Sequence, residues 1–161
     1  MRVHLSVGSN SGDRSAALGA VVDALDGHTR VCVAAVSRSY ETEPWGETGQ
    51  PDFLNAAIEI ETDLDPLEFL NIAKGIERDL GRVPGERWGP RVIDIDIILW
   101  GGTVLDSLEL TVPHRSFRTR AFVLAPLAEI AGKVVDPVTG KSVAELAASP
   151  GCVGRVECRD N

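Results

Sequence analysis

From Val92 to Trp100 the chain reads Val-Ile-Asp-Ile-Asp-Ile-Ile-Leu-Trp, and this run leaves few choices for the fold. In a strand, alternate side chains share a face, and positions i and i+2 lie about 6 to 7 Å apart. Ile93, Ile95 and Ile97 then face one way, and Asp94 and Asp96 face the other. The remaining residues are apolar, which predicts a central strand with little water-facing surface. Two carboxylates held that close repel unless positive charge sits between them, and acids are rarely buried without a partner. Oxygen donors of this kind suit Mg²⁺, which one or two carboxylates hold together with substrate phosphates. The preceding segment, Gly81-Arg82-Val83-Pro84-Gly85-Glu86-Arg87-Trp88-Gly89-Pro90-Arg91, supplies three arginines that can grip phosphates bidentately. An isolated D-x-D is more often the wet face of a half-buried sheet; the apolar neighbours and the arginines argue against that here.

Other elements follow from periodicity and caps. Val3–Val7 reads as a strand, and Gly8-Ser9-Asn10 as a turn. A helix begins near Asp13, with Leu18, Val21, Val22 and Leu25 on one stripe and Gly27 at its end. Val31–Tyr40 and Phe53–Thr62 read as strands. Asp65 caps a second helix with Pro66 at its first position. Phe69, Ile72, Ala73, Ile76 and Leu80 form its apolar stripe, and Gly81 stops it. After the Val92–Trp100 strand, Gly101-Gly102 turns the chain and Val104-Leu105 reads as a brief return strand. The order β-α-β-β-α-β predicts an α+β fold: a ferredoxin-like antiparallel sheet with helices on one face. A C-terminal extension follows. There Ala121–Ile130 has a helical pattern that Pro126 should break or kink. Asp136–Gly140 is a turn, and Ser142 with Glu145 makes a capping box for a last short helix.

At 161 residues the chain is expected to be a single domain, residues 1–161, with a real core. Its apolar share of 43% and charged share of 25% are those of a soluble globular protein, and no apolar run is long enough to span a bilayer. Met1–Gly8 reads as a first strand rather than a signal peptide, so a cytoplasmic location is expected. The net charge of −8 argues against nucleic-acid or anionic-membrane partners. Residues 81–120, however, carry six arginines against five acids, a net +1 within an acidic chain. Such a patch suits a small anionic ligand with its metal. Cys32, Cys152 and Cys158 have neither zinc spacing nor a histidine pair, so disulfide and metal roles are not expected. Gly140-Lys141-Ser142 lacks the earlier glycine of a phosphate-binding loop, since Val135 stands there. Gly8-Ser9-Asn10 could cradle an anion between strand and helix, but a plain turn is the better reading.

Taken together, Gly8-Ser9-Asn10, Gln50-Pro51-Asp52-Phe53-Leu54-Asn55, Arg87-Trp88-Gly89-Pro90-Arg91, Asp94-Ile95-Asp96 and Val112-Pro113-His114 resemble the 6-hydroxymethyl-7,8-dihydropterin pyrophosphokinases of folate biosynthesis. The likeness runs from the first strand to about residue 130. It implies transfer of the β,γ-pyrophosphoryl group of ATP to the hydroxymethyl oxygen of the reduced pterin, with release of AMP and use of two Mg²⁺ ions. Asp94 and Asp96 would hold the metals. Arg82 and Arg91 would offset charge during transfer. Lys74, Glu77, Arg87, Trp88, Ile97, Thr111, His114, Arg115 and Arg120 would contact the nucleotide. Phe53 and Phe122 would sandwich the pterin, Asn55 would bond its amide edge, and Thr42, Pro44 and Trp45 would add contacts from the adjoining loop. The loops Thr42–Gln50 and Arg82–Trp88 would be lids. A monomer acting on small molecules is expected.

Three positions depart from the family's habit. Pro84-Gly85 stands where many relatives carry a further basic residue, Phe53 replaces a frequent tyrosine, and Glu109 replaces an arginine, for which Arg115 is a candidate substitute. The competing enzyme reading is a Mg²⁺-dependent nucleotidyltransferase using Gly8-Ser9 with the two acids, against which stand the 85 positions from Ser9 to Asp94. A ferredoxin-like ligand sensor is the non-enzymatic alternative, but it has no need of paired acids beside three arginines.

Overall fold

Asp13 and Asp65 cap the first two helices as their sequences require, and the apolar runs between them pair into one sheet. These relations come from a computed structural model that describes residues 1–43, 49–81 and 92–159. In chain order the elements are β1 (Arg2–Ser9), α1 (Arg14–Asp26), β2 (Val31–Val36), β3 (Ser39–Thr42), β4 (Phe53–Thr62), α2 (Pro66–Asp79) and β5 (Asp94–Trp100). Then come β6 (Leu105–Asp106), β7 (Thr111–Val112), a 3₁₀ turn at Phe117–Thr119, α3 (Ala121–Ala131), α4 (Val143–Ala147) and β8 (Val156–Arg159). The large sheet runs β5-β1-β4-β3-β8, with β2 also on β4, and every pairing in it is antiparallel.

Alternation along the strands sorts the core into two layers. Val3, Leu5 and Val7 of β1 and Ile58 and Ile60 of β4 pack with Leu18, Val21 and Leu25 of α1 and Phe69, Ala73 and Ile76 of α2. This lower core is pinned at one end by Phe69 against Trp100, with ring centroids 5.8 Å apart and planes tilted by 59°. The intervening strand residues join an upper core in which Ala57, Ile98 and Leu99 meet Phe117, Val123, Leu124 and Leu127 near α3 and Val143 and Leu146 of α4.

The caps behave as expected. Asp65 Oδ1 accepts from the Glu68 N–H and Glu68 Oε1 accepts from the Asp65 N–H, completing a capping box, and Gly81 leaves α2 at φ +100°. Ser142 and Glu145 repeat the capping box at α4.

Three expectations need correction. The strand expected over Val31–Tyr40 is two, β2 and β3, both on β4 but out of register with each other. Ser37 fills the break: its N–H donates to the Ala57 carbonyl at 2.9 Å, and its Oγ accepts from the Ala57 N–H at 2.8 Å. The return strand pairs as β6 with β7 rather than with β5. Finally, α3 runs unbroken through Pro126. That proline is the sixth of eleven helical residues, where it removes one intrahelical bond, and it is buried with Leu124 and Leu127.

Candidate active site

β5 is an edge strand rather than the central strand its apolar run predicts; its first half carries the two acids, both half-buried, with Asp94 beside Gly8 and Asp96 beside Ser6 of β1. The alternation holds: Ile93, Ile95 and Ile97 enter the lower core, and the acids take the opposite face. An edge strand has outward N–H groups that need partners. The one between the two acids, on Ile95, donates to Glu77 Oε2 at 2.7 Å. Glu77 is only 6% exposed, so its carboxylate braces the acid-bearing segment from α2. Lys74, on the same helix, is exposed. The Ile97 side chain lies in the lower core, which leaves its backbone as what it can offer a nucleotide.

Beyond the acids β5 contains a bulge. Leu5 pairs with Ile97 and His4 with Leu99, so Ile98 is supernumerary. The Ile98 carbonyl accepts the His114 N–H at 2.9 Å, which ties the segment after β7 to the acid-bearing strand. His114 Nδ1 in turn accepts the Ser116 N–H at 3.2 Å, so the neutral ring carries its proton on Nε2. Burial first, then Arg120, push the His114 pKa down to about 4, with Arg115 adding to the effect and Asp94 opposing it. At neutral pH the ring is therefore an uncharged N–H donor.

Arg120 lies within electrostatic reach of both acids; burial lowers its pKa while Asp96 and Asp94 raise it. Its guanidinium carbon sits 5.6 Å from the Phe122 ring centroid, within cation–π range. The segment holding His114 and Arg120 is itself anchored. Arg118 donates through Nε at 2.6 Å and Nη2 at 3.0 Å to Asp136, which is fully buried and also accepts from the Val138 N–H and the Thr139 hydroxyl. Thr111 and Arg115 form a separate polar cluster on the β6–β7 hairpin: Thr111 Oγ1 donates to Asp106 at 3.1 Å, and Arg115 Nη2 donates to Thr111 Oγ1 at 3.4 Å.

Across Gly8 from Asp94 stands Asn55 of β4, 4% exposed, whose Nδ2 donates to Thr42 Oγ1 at 2.6 Å. Thr42 thus contributes its side chain by orienting Asn55. Phe53 shares Asn55's face of β4 and is half-buried, as is Phe122 at the start of α3, so neither is a fully enclosed core aromatic. A β-carbon on Gly8 would collide with Asn55 Oδ1 and lie 3.4 Å from Phe53 Cδ1. The glycine of the Gly8-Ser9-Asn10 run therefore makes room for these side chains. The turn expected over that run is not seen there: Gly8 and Ser9 belong to β1, and only Asn10 lies past its end, with its Nδ2 donating to Gln50 Oε1 at 2.8 Å and to the Pro51 carbonyl at 3.1 Å.

Pro44, Trp45, Arg82, Arg87, Trp88 and Arg91 lie outside the described residues. Among the described residues no group of three or more His, Cys, Asp or Glu side chains could hold a metal. The two acids of β5 still fit Mg²⁺, because that ion takes few protein ligands and completes its shell with water and phosphate oxygens.

Sequence reasoning missed the supports around Thr42 and Asn55. Arg14 donates to Glu41 Oε1 and to the Asp52 carbonyl, both at 3.0 Å. Arg155 donates through Nη2 to Asp52 Oδ2 at 2.9 Å and through its backbone N–H to Glu43 Oε1 at 3.1 Å. Arg155 lies more than a hundred positions from these partners, and no local spacing encodes such a pairing.

Comparison with known proteins agrees with the layout. The profile of the 7,8-dihydro-6-hydroxymethylpterin-pyrophosphokinase (HPPK) family matches residues 4–132. A 2-amino-4-hydroxy-6-hydroxymethyldihydropteridine pyrophosphokinase of Methylorubrum extorquens is 46% identical over 158 residues, which cover 97% of this chain and 99% of the relative. A protein of the same name from Bacillus subtilis is 45% identical over 136 residues, 84% of this chain and 81% of the relative. Among solved structures, Plasmodium falciparum HPPK-DHPS with pterin and p-hydroxybenzoate superposes with a TM-score of 0.73 at 15% identity, over 91% of this chain. This chain spans 42% of the length of that one, and the likeness is one of fold. By its profile match and its close bacterial relatives, the chain belongs to the 7,8-dihydro-6-hydroxymethylpterin-pyrophosphokinase family.

Proposed function

We propose that this chain transfers the β,γ-pyrophosphoryl group of ATP to 6-hydroxymethyl-7,8-dihydropterin, giving AMP and the pterin diphosphate in folate biosynthesis. The observation that carries the reading is a juxtaposition on one sheet face. Paired acids, a neutral imidazole N–H and a half-buried guanidinium lie on one side of Gly8, and an oriented amide with a half-buried aromatic lies on the other. Phosphates call for the first set, and a flat heterocycle with a polar edge calls for the second.

In this reading Asp94 and Asp96 hold two Mg²⁺ ions with the nucleotide phosphates. The ions supply charge neutralisation and a template for in-line displacement. His114 donates from Nε2 to a phosphate oxygen, and Arg120 offsets charge beside it. Arg82 and Arg91 stabilise negative charge as it shifts toward the leaving AMP oxygen. Lys74, Arg87, Trp88, Thr111 and Arg115 border the nucleotide, and Glu77 acts through the backbone of β5. Asn55, held by Thr42, reads the pterin edge between Phe53 and Phe122, with Pro44 and Trp45 closing the slot. The hydroxymethyl oxygen bonds to the β-phosphorus, the bond from that phosphorus to the α-phosphate bridging oxygen breaks, and the hydroxyl proton leaves to solvent.

The ferredoxin-like βαββαβ arrangement within one domain of residues 1–161 is the architecture we infer. It is supported by α1 and α2 sharing the lower core while α3 and α4 belong to the upper one. Among the described residues no helix is long and apolar enough to cross a membrane, in keeping with a cytoplasmic monomer acting on small molecules. Product analysis tests the activity: with ATP, Mg²⁺ and the hydroxymethyl pterin, AMP and pterin diphosphate should appear in equal amounts. Released pyrophosphate would favour a nucleotidyltransferase, and ligand binding without turnover would favour a sensor.

A further inference from the structure

The family profile ends at residue 132, yet the chain's last described stretch returns to the site. Val153 donates its N–H to the Thr119 carbonyl and accepts the Ala121 N–H, both at 3.0 Å, directly before Phe122. Gly154 then turns the backbone at φ +124°, a conformation that side-chain-bearing residues rarely adopt. Arg155 follows, its N–H on Glu43 and its guanidinium on Asp52. Val156 pairs with Thr42, the residue that orients Asn55. Four consecutive residues thus join the segment bearing Arg120 and Phe122 to the strand ends bearing Thr42 and Phe53.

We propose that residues 153–156 are a strap that sets the spacing of the two walls of the pterin slot, with Arg155 as a positioning residue for pterin binding. The proposal rests on the assignment of Asn55, Phe53 and Phe122 to the pterin. Its logic is geometric. Thr42 and Asp52 close opposite ends of the β3–β4 connection, since Thr42 pairs with Phe53 and Asp52 precedes it. An arginine bound to both Glu43 and Asp52 fixes those ends together and to β8. The nucleotide side, around Asp94, Asp96 and His114, makes no contact with Arg155 in these bonds. Arg14 braces the same corner from α1, so loss of Arg155 loosens the corner without freeing it.

The test is steady-state kinetics on full-length Arg155→Ala, Arg155→Glu and Arg155→Lys, with Asn55→Ala as reference and thermal unfolding of each. Because the guanidinium is about half exposed, the expected effects are modest: the pterin KM rises roughly three- to fivefold in Arg155→Ala. It rises about tenfold in Arg155→Glu, which faces three acids, Asp52, Glu43 and Glu157. Arg155→Lys restores it to within about twofold, since an ammonium can still reach Asp52. The ATP KM and the melting temperature stay near wild type throughout. An unchanged pterin KM in Arg155→Glu overturns the strap, and so does a parallel rise in both KM values or a large drop in melting temperature. If Asn55→Ala also leaves the pterin KM unchanged, the assignment of the pterin wall fails and the strap with it. If Asn55→Ala loses pterin binding while the Arg155 variants do not, the strap alone fails.

Discussion

Replacing His114 by asparagine should remove a defined share of the protein's acid sensitivity. Asparagine keeps an acceptor near the Nδ1 position for the Ser116 N–H but cannot take up a proton. The wild-type ring has a pKa near 4 in the fold, against about 6.5 in an unfolded chain. The folded pKa is the lower one, so the unfolded state binds more protons between those values. Above about pH 6.5 the ring costs nothing; as pH falls through the window, stability is lost. Linkage puts the loss at about 2 kcal/mol between pH 7.5 and pH 5, approaching about 3 kcal/mol near pH 4. Burial is the main cause of the shift; the charged groups around the ring, Arg120 and Arg115 with Asp94 opposing them, all remain in the variant. Denaturant unfolding of both proteins in EDTA, without nucleotide, at steps from pH 7.5 to 4.5 measures the slopes. His4, also held below its ordinary pKa chiefly by burial, contributes equally to both and cancels. The variant should lose about 2 kcal/mol less than wild type on going from pH 7.5 to 5. Parallel curves, within about 0.5 kcal/mol, would refute the buried neutral ring.

Asp94→Asn or Asp96→Asn should lower kcat by about a thousandfold or more while circular dichroism stays native, because several kcal/mol of charge stabilisation depend on each; near-normal turnover in Mg²⁺ buffer would remove them from the metal site. Gly8→Ala should push Asn55 aside and raise the pterin KM more than the ATP KM, and a crystal structure of the variant with Asn55 unmoved would contradict this. Phe69→Ala, at a fully buried ring against Trp100, should cost about 3 to 5 kcal/mol in urea unfolding without changing either KM; a loss under 1 kcal/mol would mean that the lower core repacks freely.

What could be read from the chain was whatever obeys local rules. The Asp65-Pro66 cap, the α1 and α2 stripes and the alternation of Asp94 and Asp96 with isoleucines depend on neighbours a few residues apart, and the structure bears them out. The break at Ser37 escaped because the valines before it and Tyr40 after it read as one strand across Ser37-Arg38-Ser39, and only pairing with β4 shows that two registers share it. Pro126 does not end α3, because neighbouring turns keep their bonds and buried apolar contacts hold the helix across the one bond lost. Glu77 was expected at the nucleotide; its burial and its bond to the Ile95 N–H depend on an edge strand that its own helix does not reveal. β8 was invisible for a related reason: Val156–Arg159 is short and polar, and its partner β3 lies far back in the sequence.

The extra residue at Ile98 gives one strand two independent settings. Ahead of it, the odd-numbered isoleucines grip the helices and hold the carboxylates outward; behind it, Trp100 reaches the same helical layer from an even-numbered position. Losing that one residue would rotate half of the ribbon by a side-chain step, drawing either the acids into hydrocarbon or the indole out of it. The acid-bearing half and the anchoring half of β5 can therefore tolerate sequence change separately, provided the chain between them keeps its length.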